Sequence, residues 1–177
     1  MLDLESSPSL RLLFRIARRR VAVGFIVAAA AFVLARPSWQ SLSIGVPVAL
    51  IGEAIRVWAA GHLIKGREVT TSGPYALTRH PLYAGSVMIG VGFVITAASA
   101  IVTVLVLVYL TVMIAVAIRL EEATLRAAFG ETYARYVAGK AELTVRRFSL
   151  RRVRENQEHQ ALLGVAASVV ILVLLAS

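Results

Sequence analysis

The chain contains no cysteine, which excludes disulfides, thiolate nucleophiles and cysteine-ligated metals. Charge is scarce too. Asp, Glu, Lys and Arg make up 16% of the 177 residues, where a soluble domain carries about a quarter. Aromatics are 7%, prolines number 5, and 10 acidic residues stand against 19 basic ones. Hydrophobic residues fill 58% of the sequence, mean hydropathy is +0.76, and the apolar residues fall in charge-free runs. That distribution predicts an all-α integral membrane protein forming one domain over residues 1–177.

A net charge of +9 and a pI near 11.0 raise the question of nucleic acid. The basic residues do not form a stripe along a soluble face, however. They flank apolar runs, as a membrane topology signal does, so the expected partners are membrane lipids and not nucleic acid.

Residues 1–20 are a polar lead in which Arg11, Arg15, Arg18, Arg19 and Arg20 interleave with leucines, phenylalanine and isoleucine, the pattern of a short interfacial helix. The apolar run 21–35 follows. A basic lead before a short apolar run resembles a signal peptide, but this lead is long and lacks a small-residue cleavage site, so a retained first span is expected. Arg36-Pro37 stops it. The second span is 39–58, with Trp39 and Trp58 at its two interfaces and Pro47 a possible kink. Glu53 and Arg56 lie three apart on one face of it, either as an interface pair with the arginine snorkelling or as lining of a substrate cavity. A third apolar helix at 81–97 starts at Pro81, and its Gly85, Gly90 and Gly92 predict close approach to a neighbour or a second copy. After a tight turn at Ser99 comes a fourth span at 100–118, and 161–176 is a short fifth.

The positive-inside rule orients these spans. With the amino terminus on the cytoplasmic side, segments 59–80 and 119–158 are cytoplasmic too, and of the 19 basic residues only Arg36 lies outside. The expectation is a multi-pass protein, in the inner membrane if the cell is bacterial. This topology puts two polar segments on one side of the membrane, where they can meet.

The first of these segments packs Tyr75, Arg79, His80 and Tyr83 into a Gly/Pro-punctuated loop between apolar helices. On the second, Glu121, Glu122, Leu125, Phe129, Tyr133 and Tyr136 fall within an arc of roughly 120° at 100° per residue. Gly130 interrupts the pattern, as a kink or an end.

Taken together, the run Thr71-Ser72-Gly73-Pro74-Tyr75, then Arg79-His80-Pro81-Leu82-Tyr83-Ala84-Gly85, then Glu121-Glu122-x-x-Leu125-x-x-x-Phe129-Gly130-x-x-Tyr133-x-x-Tyr136, resembles the isoprenylcysteine carboxyl methyltransferase family, within the membrane phospholipid methyltransferase group. The resemblance covers roughly residues 44–140. It implies an S-adenosylmethionine-dependent methyltransferase with about five transmembrane helices. Its cofactor pocket would face the cytosol, formed by the loop and a C-terminal amphipathic helix. The acceptor would be lipophilic and drawn from the bilayer, such as an isoprenylcysteine-like carboxylate.

Carried over by position, the cofactor contacts are Val69, Thr70, Tyr75, His80, Pro81, Leu82, Tyr83 and Glu121. Arg79, Arg119 and Glu122 are the candidate catalytic residues, and Glu53, Arg56 and His62 the candidate acceptor lining. Family members tend to be apolar where Thr70 stands. They often place an acceptor-contacting arginine four residues before the first glutamate, where this chain has Ala117.

The residue types suit the chemistry independently. Methyl transfer from a sulfonium is an in-line displacement served by positioning and electrostatics, with no metal required. A carboxylate such as Glu121 accepts hydrogen bonds from ribose hydroxyls or an amino group. Tyr75 and Tyr83 offer π-faces to a cation or an adenine. Backbone N–H groups at the Pro81 helix start suit a carboxylate, and Arg79 or Arg119 suits an anionic acceptor. His62, His80 and His159 lack metal-ligand spacing.

Two other readings compete. Sterol-type reductases that use NADPH share an Arg-His-Pro loop but continue with Asn-Tyr and Gly-Glu, whereas Leu82 and Ser86 stand there in this chain. A small transporter or assembly subunit built on Glu53 would leave the polar loop without a purpose.

Overall fold

The computed structural model describes residues 8–177, and within them the fold is helical with no strand. Six α-helices follow one another: α1 (Pro8–Leu34), α2 (Trp39–His62), α3 (Pro81–Ala97), α4 (Ala100–Val137), α5 (Leu150–Glu155) and α6 (Glu158–Ala176). A 3₁₀ turn, Gly73–Ala76, sits in the loop between α2 and α3. The first seven residues of the expected basic lead lie outside the described residues. From Pro8 onward the lead and the first apolar run are one unbroken helix.

The centre is the antiparallel pair α2–α3, the most extensive helix–helix contact among the described residues. Small residues at a seven-residue spacing permit it: Gly45 and Gly52 on α2, with Ala49 between them, face Gly92 and Gly85 on α3. A Cβ on Gly52 would lie 2.7 Å from the Gly85 carbonyl oxygen, so nothing larger than hydrogen fits. At the far end Arg36 N–H donates to the Ala97 carbonyl at 2.8 Å and Ser41 Oγ to that of Thr96 at 2.9 Å. The close approach expected of the glycines of the third helix is within the chain: Gly85 and Gly92 meet α2, and Gly90 meets Leu110 of α4.

Local signals explain the ends. Ser38 and Ser41 form a reciprocal capping box at the start of α2, which runs through Pro47 and four residues beyond Trp58 to His62. Pro81 occupies the first turn of α3, where its missing N–H is not needed. Ala98 in the left-handed conformation and the Ser99 cap turn the chain into α4. α4 joins the expected fourth span and the glutamate-bearing segment in one 38-residue helix, bent at Gly130 (φ 46°, ψ −116°). That conformation suits only glycine.

Against five expected spans, three helices among the described residues are by themselves long and apolar enough to cross a membrane: α2, α4 and α6. α3 is apolar but 17 residues long, and the apolar half of α1 follows directly on Arg18-Arg19-Arg20. α1 packs on α4, and α6 returns to α2.

Candidate functional site

The loop 63–80 is shaped by its two glycines, Gly66 and Gly73, and by Pro74. Gly73, at φ +58°, lies against the His62 ring with no room for a Cβ. Pro74 and Tyr75 are buried beneath the loop surface. His80 sits at the N-cap of α3, yet its side chain makes no cap bond. The imidazole instead turns toward α4, where Nε2 lies 3.3 Å from Glu122 Oε1. Arg79 Nη1 donates to the same oxygen at 3.1 Å, and Arg126 Nη2 to Oε2 at 3.4 Å. One carboxylate therefore ties the loop's Arg-His pair to the long helix.

Beyond the bend at Gly130, the last turns of α4 reach the loop again. Tyr136 hydroxyl donates to the Tyr75 carbonyl at 2.7 Å, while Tyr133 is 1% exposed and rests against the Tyr136 ring. Burial pushes the Tyr75 phenol above its ordinary range, and the Glu121 charge adds to that, so this hydroxyl stays protonated as a donor. The His80 and Tyr83 rings lie 5.8 Å apart, at the start of α3.

Three buried polar atoms in these segments have no hydrogen-bond partner among the described residues: Ser72 Oγ, His80 Nδ1 and Tyr133 Oη. Buried polar groups are ordinarily satisfied, so orphaned atoms beside the loop and the glutamate helix fit a polar ligand held there. The chain's own C-terminal segment covers the other side of the loop. Thr71 Oγ1 accepts the Thr144 N–H at 3.0 Å and lies 3.1 Å from the Glu142 carbonyl, and Arg146 bridges Glu68 Oε1 at 2.6 Å and the His62 carbonyl at 3.2 Å. A cavity of about 320 Å³ opens between these parts, walled by Val69, Thr71, Thr132, Arg135 and Glu142.

Of the expected cofactor contacts, Val69 lines that cavity. Thr70 is buried, with its Oγ1 3.3 Å from the Ile64 N–H. Tyr75 and Pro81 are buried, and His80, Leu82, Tyr83 and Glu121 are partly exposed around the α3 start. Arg79 and Glu122 meet directly, whereas Arg119 is exposed and joins no ion pair among the described residues. His62 is packed between Gly73, Phe148 and the Trp58 carbonyl. Sequence reasoning places Thr71 in the loop motif but misses its contacts with Glu142 and Thr144, and misses Arg146, because these contacts join positions 71 to 84 residues apart with no local pattern to betray them.

A second, apolar cavity of about 420 Å³ lies among α1, α3, α4 and α6, with Arg56 of α2 at one end. Its wall is polar at Arg56, Ser86, Tyr109 and Ser168 alone among the described residues. Arg56 Nε donates to Glu158 Oε1 at 2.6 Å and Nη1 to Ser86 Oγ at 2.5 Å, with Glu53 Oε2 3.9 Å away. Glu53 is buried behind the arginine and does not line the cavity. Ser86 is five residues along α3 from Pro81, roughly 8 Å of helix axis, so the polar end of this cavity is the end nearer the loop.

A family model described as phospholipid methyltransferase matches residues 20–132, more than half of the chain. No curated protein and no solved structure matches it.

Proposed function

Because the chain belongs to the phospholipid methyltransferase family, a methyltransferase family acting on lipid at the membrane, we propose that it transfers a methyl group from S-adenosylmethionine to a lipophilic acceptor drawn from the bilayer. The family takes in the isoprenylcysteine-methyltransferase-like enzymes whose loop and glutamate motifs this chain resembles. The observation that carries the reading is the meeting of Arg79 and His80 with Glu122, which assembles two segments some forty residues apart beside orphaned buried polar atoms.

In this reading Val69, Thr70, Tyr75, His80, Pro81, Leu82, Tyr83 and Glu121 hold the cofactor. When bound, it supplies an electrophilic methyl on a positively charged sulfur. The protein's part is to orient and to exclude water. Glu121 accepts hydrogen bonds from the cofactor's hydroxyl or amino groups, and the aromatic faces of Tyr75 and Tyr83 favour a cation. Glu122 fixes Arg79 and His80, so that the α3 start presents the Leu82 N–H, the one first-turn N–H not already bonded to the His80 carbonyl, in one orientation. The apolar cavity takes the acceptor's tail, and Arg56 and Ser86 meet its head. Arg56 stands there in place of the arginine the family often carries at the position of Ala117. Glu158 and Glu53 already offset its charge, so it and Ser86 meet the acceptor's head by hydrogen bonding and not by net positive charge.

The topology that goes with it has five spans and a cytoplasmic amino terminus, with α3 and the apolar half of α1 counted beside α2, α4 and α6. The experiment is to present a membrane lipid extract to the purified protein with methyl-labelled S-adenosylmethionine and identify the labelled product. A labelled acid ester or methylated lipid is expected. Label found only in water-soluble products would overturn the proposal.

A further inference from the structure

We propose a site for the phosphate of an anionic phospholipid headgroup in the cavity of about 490 Å³ where the His62 end of α2 meets α5. The proposal does not depend on methyl transfer. Lys65, Arg67, Arg151 and Arg152 line this cavity, and Glu155 is the one acidic residue in its wall. Four cations against one carboxylate leave a strong positive excess in a concave space, the arrangement that takes a polyanionic headgroup.

The walls are held in place. Arg152 Nε donates to the Gly61 carbonyl at 2.7 Å and its Nη2 to that of Arg147. Asn156 Nδ2 donates to the carbonyls of Ala60 at 3.0 Å and Leu63 at 3.1 Å. These bonds satisfy the last carbonyls of α2 and leave other cations available. Lys65 and Arg67 are exposed and join no ion pair among the described residues. Arg151 meets Glu155 at 3.3 Å, but the two side chains are 84% and 60% exposed, so a ligand can compete readily.

Position decides between a lipid and a free anion. The cavity is level with the end of α2 and the start of α6, two helices long and apolar enough to span. Headgroups lie at that level. The segment that brings Arg151 and Arg152 there also exposes Leu143, Val145, Phe148 and Leu150. Apolar side chains beside arginines on one strap are the pattern of a segment resting in the lipid interface. The strap lies beyond residue 132, where the family match ends.

The test uses the full chain in detergent, with native mass spectrometry counting retained lipid and thermal melting reading stabilisation. The probes are phosphatidylglycerol, phosphatidylcholine and inorganic phosphate. Lys65→Gln/Arg67→Gln removes two unpaired cations of the cavity, and Arg147→Gln/Arg154→Gln removes two exposed arginines that do not line it. The wild type is expected to retain one phosphatidylglycerol in preference to phosphatidylcholine. The cavity pair should weaken that by about thirtyfold and the control pair by about threefold or less. Equal loss in both pairs, equal retention of the two lipids, or full stabilisation by inorganic phosphate alone would each overturn the proposal.

Discussion

At the scale of single residues, Glu122 and Arg56 organise the two polar centres. Glu122 receives Arg79, His80 and Arg126, so Glu122→Ala should release the loop from α4. S-adenosylmethionine affinity should then fall about tenfold, read by equilibrium titration, while the melting temperature moves little because two of the three partners are solvent-accessible pairs of small net worth. Arg56 differs, since its partner Glu158 is 4% exposed and only the arginine's side of the pair reaches the apolar cavity. Arg56→Leu alone leaves a buried carboxylate unpaired and should cost about 3 kcal/mol or more. Arg56→Leu/Glu158→Leu should recover most of that. A denaturation cycle over the four proteins measures it, and a double variant as unstable as the single one would show that the pair does not stabilise as a unit.

At the scale of elements, the helix starts were legible because they are written locally. Pro81 opens α3, Ser99 caps α4, and Gly130, which the sequence marks as a kink or an end, is a kink. The arc holding Glu121, Glu122, Tyr133 and Tyr136 was visible from periodicity, and the structure brings Glu122 and Tyr136 to the loop. The fold of the C-terminal strap over Thr71 and Glu68 was not legible, nor was the Arg56–Glu158 pair, because such contacts have no period and no spacing. The seam between the basic lead and the first apolar run also failed to appear as a break, because neither glycine nor proline interrupts residues 9–23. Two element-scale outcomes follow from backbone geometry. Gly130→Ala meets no side chain but must hold φ 46°, ψ −116°, so it should cost about 1–3 kcal/mol and loosen Tyr136 from Tyr75, read by melting and by tyrosine fluorescence. Gly52→Leu would drive a side chain into the α3 backbone near Gly85 and should abolish recovery of folded protein, read by size exclusion in detergent, whereas Gly164→Leu meets open space and should be tolerated.

At the scale of the whole molecule, membrane character follows from composition, and charge placement predicts how the chain threads the bilayer. The absence of cysteine makes this directly measurable, since any introduced cysteine is the sole reactive thiol. With five spans, Ser38→Cys and Ser177→Cys should label from the same side of sealed vesicles and Lys140→Cys from the other. Labelling of Ser177→Cys and Lys140→Cys from one side would mean that α6 does not cross. Whatever the threading, the Arg79–Glu122 and His80–Glu122 contacts hold the loop and the glutamate helix together, beside an apolar cavity whose polar end points toward them. Saturable binding of tritiated S-adenosylmethionine to the purified, folded chain in detergent tests that arrangement most directly. One molecule per chain is expected, with affinity reduced about tenfold or more by Glu121→Ala and by Tyr83→Ala. A folded protein that shows no saturable binding, or binds equally well in both variants, would contradict it.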